Sequence, residues 1–186
     1  MAKITLQPST HLYPVPAVMV SCGPPERPNI ITLAWVGTIN SNPPMVGISI
    51  RPSRYSHELI TQHGEFVVNL PTAEQVEIVD YCGTVSGRDH DKFAEAGLTP
   101  SPATAIGTAI IAECPLSLEC KVQQVISLGS HDLFLGEIAA VQADEGIITA
   151  RRQVDLSQAK ALAFGAAEYW SLGQRLGSYG FSSNKG

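Results

Sequence analysis

The stretch Asn29-Ile30-Ile31-Thr32-Leu33-Ala34-Trp35-Val36-Gly37-Thr38-Ile39-Asn40-Ser41-Asn42-Pro43-Pro44-Met45-Val46-Gly47-Ile48-Ser49-Ile50-Arg51-Pro52-Ser53-Arg54-Tyr55-Ser56 decides the fold. Two apolar runs rich in β-branched residues, Ile30 to Ile39 and Met45 to Ile50, flank the pair Pro43-Pro44. Proline cannot donate to a strand ladder, so the pair marks a connection and the two runs read as strands. The second run ends at Arg51 and turns through Pro52 and Ser53 toward a helical pattern at Leu59 and Ile60. A helix starting near Ser56 would aim its positive end and free N–H groups at the place where Arg51, Arg54, Ser53 and Ser56 gather, which is the chemistry of an anion site. Asn29, Thr32 and Trp35 lie on the preceding strand. Short polar side chains and an aromatic ring beside an anion site suit a flat heterocycle with a phosphorylated tail.

Further strands follow on both sides. Ala17 to Cys22 and Glu65 to Leu70 are short apolar runs bounded by Pro, Gly or Asn. Leu116, Leu118, Cys120 and Val122 alternate with Ser117, Glu119, Lys121 and Gln123, the period of a half-buried strand. The segment from Leu128 through Asp132 into Leu133-Phe134-Leu135-Gly136-Glu137-Ile138 reads as the turn and return strand of a hairpin. Helical signals are fewer: Thr72 with Gln75 at capping-box spacing, and Asp155 with Gln158 before a face of Leu156, Ala159, Leu162 and Ala163. Antiparallel strands with inserted helices predict a mainly β fold of α+β kind, a closed or partly open β-barrel. Gly97 to Thr108 reads as a long loop, the tail from Leu176 thins into Gly, Ser and Asn, and residues 1–186 read as one domain.

Composition excludes several classes. With 44% hydrophobic and 16% charged residues the chain has the material for a core, and no apolar run reaches the length of a membrane span. A net charge of -5, with basic residues scattered apart from Arg51 and Arg54, argues against nucleic acid. The first residues lack an apolar secretory core, and cysteines 22, 82, 114 and 120 form no Cys-x-x-Cys pair, which together predict free thiols and a cytoplasmic location.

The segment Gly83 to Phe93 joins two glycines to Ser86, Arg88, Asp89, His90, Asp91 and Lys92. It reads either as a solvated connection or as a mobile lid that brings Lys92 or Arg88 to a negatively charged ligand. Asp89, His90 and Asp91 lack a second histidine nearby, so no metal is expected. Trp35 reads either as core or as an aromatic face for a ligand, and His131 either as a turn residue or as a group placed against it. A Gly-x-Gly-x-x-Gly fingerprint is absent, so a nicotinamide cofactor, where one is used, is a passing substrate.

At these residues the chain resembles a known family. Asn29, Thr32, Ala34, Trp35, Pro43-Pro44, Ser86-Gly87-Arg88, Asp91-Lys92-Phe93, Leu128-Gly129-Ser130-His131 and Gly136-Glu137 are similar to the flavin reductase-like proteins with an FMN-binding split barrel, most of all their flavoredoxin branch. The likeness runs from Tyr13-Pro14-Val15-Pro16 to about Gly177.

The resemblance implies a homodimer that holds one FMN per subunit, non-covalently, near the subunit interface. Carried over by position, Asn29, Trp35, Ser56, Lys92, His131 and Phe164 would surround the flavin, with Ser56 keeping the hydroxyl of a family threonine. Arg51, Arg54 and Ser56 would anchor the phosphate, and Lys92 and His131 are the candidate catalytic groups. Three functions fit: an NAD(P)H:flavin oxidoreductase, a flavoredoxin-type carrier passing electrons between protein partners, and a non-redox ligand-binding barrel.

Overall fold

The computed structural model describes residues 1–183; of the tail, residues 184–186 lie outside the described residues. In chain order the elements are β1 (Val15–Pro16), β2 (Val18–Cys22), β3 (Asn29–Leu33), β4 (Val36–Ser41), β5 (Pro44–Ile50), α1 (Tyr55–His63), β6 (Glu65–Leu70), α2 (Val76–Thr84), α3 (Lys92–Glu95), β7 (Pro100–Ser101), β8 (Ile110–Ile111), β9 (Leu116–Ser127), β10 (Asp132–Ala143), α4 (Leu156–Ala159), β11 (Leu162–Gly165) and β12 (Glu168–Ser171). Seven strands make one antiparallel sheet in the order β3-β2-β6-β9-β10-β5-β4, and β1-β11-β12 form a smaller one. Among the described residues no helix is long and apolar enough to cross a membrane.

The two edge strands of the large sheet, β3 and β4, are neighbours in sequence, separated by Ala34 and Trp35 alone. The chain can pass from one edge to the other in so short a step only because the sheet curls until its edges meet, as right-handed strand twist favours. The run Ile30 to Ile39, expected as one strand, is therefore two. Its break is held by the Ser49 amide, which donates to the Trp35 carbonyl at 3.0 Å.

Both faces of the curled sheet are covered near β2, where all five residues are buried. Val18, Val20 and Cys22 point into the barrel with Ile48, Ile50, Phe66 and Phe134, and α1 plugs that interior with Leu59 and Ile60. Ala17, Met19 and Ile30 meet Val79 and Cys82 of α2 and Phe93 of α3 on the other face. Burial on two faces explains why these strands read as continuous apolar runs rather than alternations.

The alternation in β9 hides a difference. Lys121 is exposed, but Ser117 and Glu119 are buried. The loop after Gly97 folds over them: Glu119 accepts from the amides of Thr104 at 2.9 Å and Ala105 at 2.6 Å, from the Thr104 hydroxyl at 2.9 Å and from Gln142 at 2.8 Å. Asn69 extends this polar seam, donating to Met19 O and Ser21 Oγ and accepting from Ile111 N and Ser117 Oγ. Pairing of this kind offsets the cost of burying polar groups.

Helix signals resolve unevenly. The Thr72–Gln75 capping box forms, but it opens a 3-10 turn at Ala73–Gln75 that leads into α2. The helix expected after Asp155 is one turn long, with the Asp155 carboxylate accepting from Ser157 N and Lys160 in the left-handed region at φ 46. Leu162 and Ala163, expected on its face, instead extend β11, where strand pairing and burial override local helix preference.

Candidate functional site

A groove of about 180 Å³ opens where the edges of the curled sheet meet, walled by Thr32, Trp35, Arg51, Arg54, Gly83 and His131 among others. Trp35 is 45% exposed, so it is not a core residue. Its ring leans on that of His131, with centroids 4.4 Å apart and a 45° tilt. Burial, and then the Arg51 charge, hold the His131 imidazole below its ordinary pKa, which favours the neutral ring at neutral pH. The four-residue turn that carries His131 is closed by Leu128 N donating to His131 O at 3.0 Å.

The anion end of the groove is the junction of β5 and α1. Arg51, Ser53 and Arg54 are exposed there, and Arg54 rather than Ser56 is the N-cap. Arg54 makes no side-chain cap bond and the His57 amide turns back to Arg54 O at 3.0 Å, which leaves the Tyr55 and Ser56 amides for an anion. Ser56 lies within the first turn and is buried, accepting from Asn29 Nδ2 at 2.8 Å. The Ser56 hydroxyl, read from the sequence as part of the anion site, turns inward to Asn29.

Asn29, Ser56 and Lys92 form a buried polar layer around Cys22, and none of them lines the groove. Lys92 differs from the expected lid residue: α3 carries it into the protein, where Nζ donates at 2.7 Å to both Ile30 O and Cys82 O. Ile31 and Gly83, the next residues along each segment, wall the groove, so the ammonium lies directly behind it. Burial pulls its pKa down. Arg88 is also committed, pairing with Glu58 at 2.6 Å and lying over the Tyr55 ring at 4.8 Å. Thr32 donates its hydroxyl to Val79 O at 2.5 Å, tying the groove wall to α2.

Ser53, Ser86 and Phe164 do not line the groove. Ser86 is exposed and accepts from Arg88 N at 3.2 Å, whereas Phe164 packs edge-on to Tyr169 at 5.2 Å. Sequence reasoning read Gly83 and Gly87 only as part of a solvated connection or lid. A Cβ on Gly83 would stand 3.2 Å from Thr32 Cβ, and one on Gly87 only 1.9 Å from Asn29 Oδ1, so both glycines allow α2 and the segment after it to approach β3. It missed a second cavity of about 470 Å³, assembled from distant segments and bordered by Arg27, Asn29, Tyr55, Gly87 and His90.

Residues 10–159 match the family model described as flavin reductase like domain. The chain belongs to the flavin reductase-like family. The curled sheet is accordingly a split barrel, and membership places the chain among flavoprotein oxidoreductases. It is 33% identical to flavoredoxin of Desulfovibrio vulgaris (Miyazaki F), with a TM-score of 0.91 over 99% of this chain and 100% of that one. Flavoredoxin from Methanosarcina acetivorans is 30% identical, with a TM-score of 0.90 over 98% and 100%. The NADH-dependent FMN reductase AsuE2 of Streptomyces nodosus subsp. asukaensis is 29% identical over 134 residues, 72% of this chain and 71% of that protein.

Proposed function

We propose that this flavin reductase-like protein binds FMN non-covalently in the groove and mediates two-electron transfer from NADH or NADPH. One observation carries the reading: an uncapped helix end flanked by Arg51 and Arg54 shares a single groove with the Trp35–His131 ring pair. The first element fits a phosphate and the second a flat ring system. FMN, when bound, supplies reversible hydride acceptance.

Arg51, Arg54 and the first amides of α1 hold the phosphate, with Ser53 beside them. Trp35 and the neutral His131 face the ring, and Thr32 holds the wall against α2. Lys92, fixed behind the wall by two carbonyls, supplies positive charge that favours a reduced anionic ring. Asn29 and Ser56 keep that layer in place.

A ligand of flavin size needs a pocket of roughly 300 Å³ or more, above the 180 Å³ of this groove. We therefore assign the remaining wall to a second copy in a homodimer, in keeping with exposed Trp35 and Trp170. The NADH-dependent relative supports a nicotinamide donor, and the four buried free cysteines fit a reducing compartment such as the cytoplasm.

The likeness to flavoredoxin over essentially the whole chain favours a second reading, a carrier that exchanges electrons with protein partners. Anaerobic addition of NADH and of NADPH to FMN-loaded protein separates the two. Rapid bleaching of the flavin band supports the reductase. Bleaching by dithionite but by neither nicotinamide would leave the carrier.

A further inference from the structure

Two residues outside the groove wall connect its two ends. His57, in the first turn of α1, meets Asp132 at the start of β10, with 2.7 Å between Nε2 and Oδ2. The side chains are 16% and 15% exposed, so solvent competes little for this contact. The second oxygen of Asp132 accepts from Ser127 Oγ at 2.8 Å. Phe134 meets the His57 ring edge-on at 5.1 Å, which fixes its plane.

The covalent neighbours give this pair its meaning. Ser56, one residue before His57, accepts from Asn29, and Arg54 occupies the N-cap position of the same helix. His131, one residue before Asp132, carries the ring that lies against Trp35. Asp132 stands opposite Ile50 in β5, the residue before Arg51. A shift of α1 relative to β10 thus moves the anion end of the groove relative to its ring end.

We infer that His57 and Asp132 form a latch that sets the His131 ring against Trp35 and fixes its distance from the phosphate end of the groove. They are positioning residues, since neither lines the groove itself. The role of the latch in ligand binding rests on the FMN reading, but its effect on Trp35 does not.

The test therefore has two independent readouts. In a Trp170→Phe background, which leaves Trp35 as the sole tryptophan, flavin-free protein is compared with its His57→Ala, Asp132→Ala and doubly substituted forms. Loss of the latch releases His131, so Trp35 emission changes in intensity or wavelength in each variant and by the same amount in the double. FMN affinity falls about tenfold in each single variant and no further in the double, the non-additivity expected of one shared contact. His57→Gln and Asp132→Asn, which retain hydrogen-bonding groups and keep the comparison open where an alanine form does not fold, show smaller changes in both readouts. Unchanged Trp35 emission in folded variants, or independent and additive losses, would overturn the latch. If the parent protein fails to bind FMN, the FMN reading falls while the emission comparison still decides the latch.

Discussion

The ammonium of Lys92 bridges the main-chain carbonyls of Ile30 and Cys82, 2.7 Å from each, and so bolts β3 to the end of α2. That contact gives one side chain a structural and an electrostatic role. Lys92→Met keeps much of the volume but leaves two buried acceptors without donors, each costing about 1–3 kcal/mol. The variant should melt at lower temperature, and its bound flavin should show a lower reduction potential than the parent. Thermal unfolding and spectroelectrochemical titration check the two effects; an unmoved potential would limit Lys92 to the structural part.

Arg54 should behave differently, because it is exposed and occupies the N-cap position of α1 at the phosphate end. Arg54→Ala is expected to weaken FMN by about 1.5 to 3 kcal/mol, the range for a hydrogen bond to a charged group. Neither the melting temperature nor the potential of the flavin that still binds should move much. Fluorescence titration beside the same potential measurement distinguishes this pattern from that of Lys92→Met.

Gly87 tests the Asn29–Ser56 contact. An alanine there would place its Cβ 1.9 Å from Asn29 Oδ1, so Asn29 must turn away and release Ser56. Gly87→Ala should weaken FMN binding, and Gly146→Ala, at a glycine with open space around it and far from the groove, serves as a control. Equal affinities for the two variants would separate Asn29 from ligand binding.

What the sequence made legible depended on how local the cause was. Glu65 to Leu70 matched β6 residue for residue, and the hairpin of β9 and β10 followed from its alternation, because strand period and turn residues act within a few positions. The break at Ala34–Trp35 was invisible, since it exists only because the two edges of a seven-stranded sheet meet there. Lys92 looked like part of a solvated lid because its neighbours are charged. Its partners are carbonyls, 10 and 62 residues distant, that no side-chain pattern announces. Arg51, Arg54, Trp35 and His131, singled out in the sequence, come together in one groove, whereas the His57–Asp132 contact spans 75 residues and leaves no local signature.

Glu119 supplies a pH test of the fold. Burial raises its carboxyl pKa, but donors from Thr104, Gln142 and Ala105 outweigh that and hold it below the ordinary value. A depressed folded pKa contributes stability that is present above the unfolded value of about 4.3 and lost as pH falls through the folded value. Glu119→Gln should therefore be less stable than the parent at neutral pH, and the difference should narrow in acid. Denaturant melts across that range check it, and a gap that stays constant with pH would contradict the assignment.

The central claim, an FMN site at the seam of the split barrel, is tested most directly by titrating flavin-stripped protein into FMN and, in parallel, into FAD while following flavin fluorescence. The groove has one compact phosphate end and no second nucleotide fingerprint. Saturable quenching at one FMN per chain, with FMN bound more tightly than FAD and Arg54→Ala weakened, is the expected result. Unquenched FMN, or a clear preference for FAD, would contradict it.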